Sequence, residues 1–193
     1  MPSLILASAS PRRRDLLEKA GFHFSVVPSN ADEVVPDYLS PAEVALFNAT
    51  IKARTVSMLH REAVVVGVDT LVEMEGRIFG KPKDLAEARR MLECLNGRDH
   101  SVFSGVAVVG PKRSRTFVDW TRVHFHRRAA VEIERYLARI GPLDKAGGYA
   151  AQNDRGEMIK AVEGSFTNVI GLPMERLRPI LEAEGITPAA PSL

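Results

Sequence analysis

The chain lacks most features that mark secreted, membrane-bound or nucleic-acid-binding proteins. Its 193 residues contain one cysteine, which excludes an internal disulfide and favours a reducing, cytoplasmic location. No apolar run approaches the length of a membrane span, so we expect no membrane partner. Only 6% of the residues are aromatic, and 26 basic side chains nearly balance 24 acidic ones. With few rings for base stacking and no basic excess, we expect no nucleic-acid partner either.

Cysteine and histidine often take part in catalysis or bind metal ions, but in this chain Cys94 and two histidines fit structural roles. Cys94 lies in the apolar stripe of a predicted helix, where a small core residue is more common than a catalytic thiol. His124 and His126 alternate along a predicted strand and could meet one metal ion, but no other residue with ligand spacing accompanies them. We therefore interpret both histidines as residues of a strand surface.

The chain does contain enough apolar sequence, 45% of its residues, for one sizeable domain or for two small lobes. Strand and helix patterns alternate in the first half, and two long strand patterns follow in the second. The sequence has no internal repeat and no low-complexity tract, and no linker divides it into independent domains. We predict an α/β fold, with a mixed twisted sheet and flanking helices, in a single domain over residues 1–193.

The most informative segment is a short apolar strand followed by a helix whose first turn carries three arginines. Ser10 is expected to cap this helix, and Arg12, Arg13 and Arg14 follow. Cations at the positive end of a helix dipole are disfavoured by roughly 0.3–1 kcal/mol each when exposed. The arrangement therefore favours a bound anion, and backbone amides, guanidinium groups and the hydroxyls of Ser8 and Ser10 suit a phosphate. A solvated basic helix face is the alternative.

A long helix is predicted after Ser40, because Ser40 and Glu43 form the pattern of a capping box. Its apolar positions are Val44, Phe47, Ile51 and Met58. Lys52 follows Ile51 directly, so its ammonium group could reach from the edge of this stripe into a cleft. A lysine that extends to the surface is the commoner outcome.

Asp69 is the second informative residue, because the valine-rich segment around it predicts a strand buried on both faces. A lone carboxylate there is costly unless a cation, a metal ion or an opening to water accompanies it. Thr70 adds a second polar group to the same run. A carboxylate beside a metal ion and a water molecule suits phosphoryl chemistry. The alternative is an aspartate in a bulge or tight turn, bonded to its own backbone.

Two further charged residues extend this set. Glu33 follows the second predicted strand, and ligand sites often lie where the strands of such sheets end. Lys81 stands between Gly80 and Pro82, whose irregular backbone would present its ammonium group rigidly to a phosphate. An ordinary turn lysine is equally consistent with that spacing.

Seven motifs of the chain, in their order and spacing, resemble those of the Maf proteins, a family of nucleoside triphosphate pyrophosphatases. The motifs are Ser8–Arg13, Glu33, Lys52-Ala53, Gly67–Thr70, Gly80–Pro82, Asp144–Tyr149, and Gly164–Phe166 with Asn168–Pro173. The resemblance implies an ITPase-like fold with two α/β lobes around a central cleft. It also implies a divalent cation, Mg²⁺ or Mn²⁺, and hydrolysis of a nucleoside triphosphate to the monophosphate and pyrophosphate.

The resemblance assigns roles to individual residues. Asp69 corresponds to the catalytic proton acceptor, and Glu33 and Asp69 would hold the metal ion. The residues that would bind the substrate are Ser8, Ser10, Arg12, Arg13, Lys52, Thr70, Lys81 and Gln152. Three of these, Arg12, Thr70 and Gln152, resemble the branch that acts on dTTP and UTP. Uracil and thymine present an acceptor–donor–acceptor edge, which an amide and a guanidinium group could match. Gln152 as an ordinary loop residue is the alternative.

A nucleotide-binding regulator of cell division, which uses the same pocket without turnover, is the alternative function. Pyrophosphate release from a panel of nucleoside triphosphates distinguishes this regulator from an enzyme. The resemblance is also compatible with a homodimer, although no apolar stripe in the sequence demands one.

Overall fold

The structure is a computed structural model that describes residues 2–189. Its helices are α1 (Pro11–Lys19), α2 (Pro41–Ser57), α3 (Leu85–Leu95), α4 (Ala130–Ile140), α5 (Phe166–Ile170) and α6 (Met174–Ala183). Its strands are β1 (Leu4–Leu6), β2 (Ser25–Val26), β3 (Val64–Met74), β4 (Arg77–Phe79), β5 (Asp99–Val109), β6 (Ser114–Phe125) and β7 (Ile159–Glu163). The predicted alternation is confirmed, although the short α5 was not predicted. Among residues 2–189, no helix has both the length and the apolar character needed to cross a membrane.

Within residues 2–189, seven strands form one sheet in the order β2-β1-β3-β5-β6-β7, and β4 also pairs with β3. β1 is parallel to both β2 and β3, with Leu6 opposite Val26 and Val66. β4 is antiparallel to β3, and β7 is antiparallel to β6. The predicted α/β class, with a mixed sheet and flanking helices, is therefore confirmed.

The chain divides into two compact units, and neither is continuous in sequence. The first unit contains residues 2–69, Ser104–Asp119 and residues 171–189. The second unit contains Thr70–Phe103 and Trp120–Ile170. Each unit buries hydrophobic side chains of its own.

The first unit has helices on both faces of its strands. Successive side chains of a strand point to opposite faces, so β1 and β3 supply both layers. On one face, Leu6 and Val66 belong to a cluster with Leu17 of α1 and Leu177 of α6. On the other face, Val65 belongs to a cluster with the alanines of α2. Burial on both faces explains why this part of β3 is an uninterrupted apolar run.

The face of α2 that contacts the sheet differs from the predicted one. Phe47 and Met58, expected on the apolar stripe, are 46% and 66% exposed. The buried side chains of α2 are Val44, Ala45, Asn48, Ala49, Lys52, Ala53 and Val56. A Cβ atom added to Gly67 would lie 2.3 Å from the Ala49 carbonyl oxygen, and one added to Gly105 would be equally close to the α2 backbone. Because the helix lies so close to these glycines, small side chains face the sheet and large apolar ones do not.

The second unit packs α3 and α4 against one face of its strands. Leu92 of α3 and Tyr136 of α4 are buried in this core, and Cys94 packs against it, as predicted. Residues 141–153 contain three short 3-10 turns. His124 contacts two carboxylate groups at 2.7 Å and 3.0 Å. Within the described residues, no group of three or more potential ligands includes it or His126.

Candidate active site

Polar side chains of the first unit gather where its parallel strands end. Ser8 follows β1, the segment that carries Glu33 follows β2, and Asp69 lies in β3 three residues after Val66, the last residue paired with β1. The carboxyl ends of parallel strands meet at one edge of a sheet, which is a common place for ligands. Helix α1 begins immediately after Ser10 and brings its first-turn arginines to the same edge.

Asp69 is 4% exposed and lies on the α2 face of β3, because it alternates with Val65 and Gly67. Its Oδ1 accepts a hydrogen bond from Lys52 Nζ at 2.7 Å, and its Oδ2 accepts one from Asn48 Nδ2 at 3.2 Å. Asp69 belongs to a regular strand, so the alternative of a turn aspartate bonded to its own backbone is wrong. An ammonium group and an amide make the buried carboxylate tolerable.

The Lys52 ammonium group bridges the two carboxylates that were predicted as metal ligands. Nζ donates to Glu33 Oε1 at 2.6 Å and to Asp69 Oδ1 at 2.7 Å. The side chains of Lys52 and Asp69 are 11% and 6% exposed, whereas that of Glu33 is 44% exposed. The alternative of a lysine that extends to the surface is therefore wrong, because Lys52 lies on the buried face of α2.

Arg13 is held by two oxygen atoms from distant parts of the first unit. Its Nε donates to the carbonyl oxygen of Gly171 at 2.8 Å, and its Nη1 donates to the hydroxyl of Ser8 at 3.0 Å. Burial lowers the pKa of the Arg13 guanidinium to about 10, and the negative charges of Asp69 and Glu33 oppose this shift. The guanidinium remains protonated at neutral pH. Its electrostatic interaction with both carboxylates joins the amino-terminal motif and the ionic cluster of Glu33, Lys52 and Asp69 in one site.

The other residues of the amino-terminal motif have different environments. Ser8 is 8% exposed, and its hydroxyl also accepts the backbone N–H of Ser10 at 3.3 Å. Ser10 is the N-cap of α1, as predicted, but its side chain makes no capping hydrogen bond. Arg12 is close enough to Arg13 for its positive charge to lower the pKa of that residue further. Arg14 is exposed and pairs with a glutamate one turn later at 3.7 Å, so a solvated basic face describes Arg14 and not Arg13.

Asn48 is a residue of this site that the sequence analysis missed. It lies one helical turn before Lys52, is 2% exposed, and bonds both Asp69 and the backbone of Val34. Two signals could have identified it. An asparagine inside a helix is unfavourable unless its side chain has a partner, and residues four apart share one helix face. The Gly171 carbonyl gave no comparable signal, because every residue has such a group.

The three remaining candidates lie in the second unit. Thr70 is half-buried in β3, Lys81 is exposed in the loop between β4 and α3, and Gln152 is half-buried in a 3-10 turn. The N–H of Gly147 donates to the carbonyl of Gly80 at 3.1 Å, which joins the loop of Lys81 to the glycine pair that precedes the turn. Gly147 has a φ of +70°, a conformation that favours glycine.

Glu33 and Asp69 fit a divalent cation that brings part of its own coordination shell. Within residues 2–189, no group of three or more histidine, cysteine or carboxylate side chains could hold a metal ion alone. Mg²⁺ at phosphate sites usually takes one or two carboxylates, with substrate phosphates and water as further ligands. Two carboxylates bridged by one ammonium group at 2.6 Å and 2.7 Å agree with that donor set. A metal ion there would share both carboxylates with Lys52.

Comparison with known proteins identifies the family. A family model described as Maf-like protein matches residues 3–184. The chain belongs to the Maf family. The matched range contains every candidate residue from Ser8 to Gln152. The resemblance inferred from the seven motifs is therefore confirmed.

Two dTTP/UTP pyrophosphatases are similar to nearly the whole chain, and one solved structure is similar to part of it. The chain is 43% identical over 177 residues to a dTTP/UTP pyrophosphatase of Bacillus cytotoxicus, covering 92% of this chain and 93% of that protein. It is 42% identical over 188 residues to a protein of the same name from Bacillus pumilus, covering 97% and 100%. A solved nucleoside-triphosphatase / dITP/XTP pyrophosphatase from Mycobacterium abscessus shares 20% identity over 65% of this chain and 75% of that one, with a TM-score of 0.38. That last likeness is too low to carry an argument.

Proposed function

We propose that this Maf protein hydrolyses nucleoside triphosphates, dTTP and UTP foremost, to the monophosphate and pyrophosphate. The observation that carries the proposal is the ionic cluster of the first unit, in which Lys52 lies between Asp69 and Glu33, and Arg13 is coupled to both carboxylates. Cations beside paired carboxylates fit a polyphosphate that arrives with a divalent cation. The names of relatives at 42–43% identity support the choice of substrates.

Residues of the first unit would hold the triphosphate. Arg12, Arg13 and Lys52 would neutralise its phosphate oxygens. The Ser8 hydroxyl accepts hydrogen bonds from Arg13 and from the Ser10 N–H, so its own hydrogen can be directed to a phosphate oxygen. The hydroxyl of Ser10, which does not cap α1, would bind a phosphate oxygen in the same way.

Residues of the second unit would bind the phosphates and the base of the substrate. Family resemblance supports Lys81 as a further phosphate ligand, and Thr70 and Gln152 as residues that select the pyrimidine. An amide offers both a donor and an acceptor, so Gln152 matches two adjacent groups on the edge of uracil or thymine. The exposed position of Lys81 and the half-buried positions of Thr70 and Gln152 are compatible with ligand contact.

Glu33 and Asp69 would hold the Mg²⁺ or Mn²⁺ ion, which supplies positive charge and lowers the pKa of bound water when present. Asp69 would activate the attacking water, either as the base that takes up its proton or as a ligand of the ion. The water oxygen bonds to the α-phosphorus while the bond to the bridging oxygen breaks, and pyrophosphate leaves with the electron pair. Lys52 and Arg13 would stabilise the charge that develops on pyrophosphate.

Product analysis tests this function. The purified protein should release pyrophosphate from dTTP and UTP with Mg²⁺ or Mn²⁺, and chelation of the metal should abolish release. Asp69→Asn should keep the circular dichroism spectrum of the wild type and lose turnover by at least about 100-fold, because it lacks the proton acceptor and metal ligand. Asp37→Asn, at an exposed carboxylate of the same unit, should be fully active. Nucleotide binding without any pyrophosphate release would instead favour the regulator.

A further inference from the structure

A buried asparagine in α2 connects the two carboxylates on which the proposed function depends. Asn48 is 2% exposed, and its side-chain amide forms three hydrogen bonds. Oδ1 accepts the N–H of Val34, and Nδ2 donates to the carbonyl of the same residue, each at 3.0 Å. Nδ2 also donates to Asp69 Oδ2 at 3.2 Å. Asn48 thus holds both the residue after Glu33 and the side chain of Asp69.

The backbone of Val34 determines the orientation of this amide. A flipped amide would place Nδ2 against an N–H group, and Oδ1 against a carbonyl and a carboxylate. The hydrogen-bond pattern therefore admits one orientation, in which the amide hydrogens of Asn48 face the oxygens of Val34 and Asp69.

Lys52 repeats this connection one helical turn later. It donates to Glu33 at 2.6 Å and to Asp69 Oδ1 at 2.7 Å, so α2 contacts both oxygens of the Asp69 carboxylate. Glu33 lies in a segment, residues 27–36, without helix or strand. Lys52 of α2 holds the Glu33 carboxylate, and Asn48 of α2 holds the backbone of the next residue, Val34.

The helix that carries Asn48 and Lys52 cannot shift easily to compensate for a lost contact. An added Cβ at Gly67 would lie 2.3 Å from the carbonyl oxygen of Ala49 and 2.6 Å from the backbone nitrogen of Ala53. Such close contact between a helix and a strand leaves no room for movement towards the sheet. Asn48 and Lys52 therefore donate their hydrogen bonds from a helix backbone whose position is fixed by packing.

We propose that Asn48 is a positioning residue of this site. It fixes the rotation of the Asp69 carboxylate and the distance between Asp69 and Glu33, so that both carboxylates can bind one divalent cation carried by a nucleotide. The inference rests on the proposed function and names Asn48 as a residue that acts through Asp69 and Glu33. Loss of a hydrogen-bond partner of a metal-binding side chain typically changes metal affinity or activity by about 10–100-fold.

Asn96 provides a matched control, because its side chain holds a backbone segment in the same way. Its Nδ2 donates to the carbonyl of Arg128 at 2.9 Å, and its Oδ1 accepts the N–H of Arg128 at 2.7 Å. Neither Asn96 nor Arg128 is a candidate site residue. Asn96→Leu removes two hydrogen bonds to the backbone of Arg128, just as Asn48→Leu removes two to the backbone of Val34. Only Asn48→Leu also removes a bond to a candidate carboxylate.

The test measures kcat for dTTP and the dissociation constant of Mn²⁺, the latter by electron paramagnetic resonance with the α,β-methylene analogue of dTTP. Asn48→Leu should lower kcat, weaken Mn²⁺ binding or do both by about 10–100-fold. Asn96→Leu should change each quantity by less than about threefold, even if both variants melt at lower temperature. Asn48→Asp keeps the shape and the acceptor for Val34 but sets a carboxylate beside Asp69. It should lower kcat by about 10–100-fold, because it lacks the amide donor to Asp69, and it replaces Asn48→Leu if that variant does not fold.

Three results would contradict the role of Asn48, the proposed function or both. If both Asn48 variants kept kcat and Mn²⁺ affinity within about threefold of the wild type, the role of Asn48 would be structural and the inference overturned. If the wild type bound Mn²⁺ with the nucleotide analogue but released no pyrophosphate, the proposed function would be wrong, and Mn²⁺ binding by the variants would still decide the role of Asn48. If the wild type bound no Mn²⁺ with the analogue, both proposals would be overturned.

Discussion

At the scale of single residues, His100 of β5 shows how burial changes the chemistry of a side chain. It is 3% exposed, and its ring meets those of Phe125 and Tyr149 edge-on, with centroids 4.7 Å and 5.3 Å away. Nε2 lies 2.9 Å from the Tyr149 hydroxyl, whereas Nδ1 has no hydrogen-bond partner in the described part of the chain. Burial lowers the pKa of His100 to about 4, because the charged ring would lose its hydration.

We expect His100 to weaken folding in mild acid. The unfolded ring titrates near pH 6.5 and the folded one near pH 4, so below pH 6.5 the unfolded state binds a proton that the folded state does not. Stability that is present above pH 6.5 is therefore lost as the pH falls, by about 2 kcal/mol between pH 7 and pH 5. Urea unfolding at both pH values measures this loss. It should be about 2 kcal/mol smaller in His100→Gln and unchanged in His23→Gln, at an exposed histidine. Equal losses in His100→Gln and the wild type would contradict this explanation.

The arginines of α1 show what residue-level sequence reasoning can and cannot determine. Adjacent helix residues point about 100° apart, so Arg13 turns towards Ser8 and Gly171 while Arg14 turns to solvent. The sequence predicted an anion site from the run of cations at a helix start. It could not show which arginine turns inward, because that depends on a carbonyl group 158 residues away along the chain.

At the scale of secondary structure, α2 is the element that brings the ionic cluster together. Its close contact with Gly67 and Gly105 excludes large side chains, and alanines occupy the contact face. Asn48 and Lys52 lie beside those alanines and reach Asp69, which follows Gly67 on the same face of β3. The small residues of the sheet and helix therefore determine how far the polar side chains must extend.

Substitution of Gly67 tests this coupling between packing and activity. Gly67→Ala places a Cβ 2.3 Å from backbone oxygen and 2.6 Å from backbone nitrogen of α2, so the helix must move. We expect a loss of at least about 2 kcal/mol in the free energy of unfolding, as overpacked cores show, and at least about a tenfold loss of kcat/KM, because Lys52 moves with the helix. Urea unfolding and dTTP hydrolysis measure the two effects. Gly110→Ala, where the added Cβ meets the end of the Glu184 side chain at 3.0 Å and no atom of α2, should keep dTTP hydrolysis. Full stability and activity in Gly67→Ala would show that α2 tolerates displacement.

Element type and order were largely predictable, because strand and helix patterns depend on residues that are close in sequence. The capping box at Ser40 has the geometry that its sequence pattern indicates. The contact face of α2 was predicted wrongly, because a stripe of large apolar residues was expected to face the core. Phe47 is 46% exposed instead, since the sheet surface opposite the helix carries glycine.

At the scale of the whole molecule, the two units are assembled from separate stretches of sequence. Ser104–Asp119 joins the amino-terminal residues, and β3, β5 and β6 each contribute residues to both units. We propose that the units form the single domain expected from the sequence, because three continuous strands belong to both. Such long-range grouping has no local sequence signal, since it depends on strand pairing between residues far apart in the chain. The candidate residues of the active site were predictable as motifs, whereas their hydrogen-bond partners Asn48 and Gly171 were not.

Nucleotide binding should stabilise the whole molecule if the cations and carboxylates of the first unit bind a metal–triphosphate complex. A ligand that binds only the folded state at 100 times its dissociation constant adds about 2.7 kcal/mol, which raises the melting temperature of a chain of this size by roughly 5–10 °C. Differential scanning fluorimetry with Mn²⁺ and the α,β-methylene analogue of dTTP measures this shift. Mn²⁺ alone should give a smaller shift, because the protein supplies two carboxylates and Lys52 occupies the space between them. A shift with Mn²⁺ alone as large as that with the analogue would mean that the protein binds the metal without phosphate ligands, contrary to the coordination inferred here.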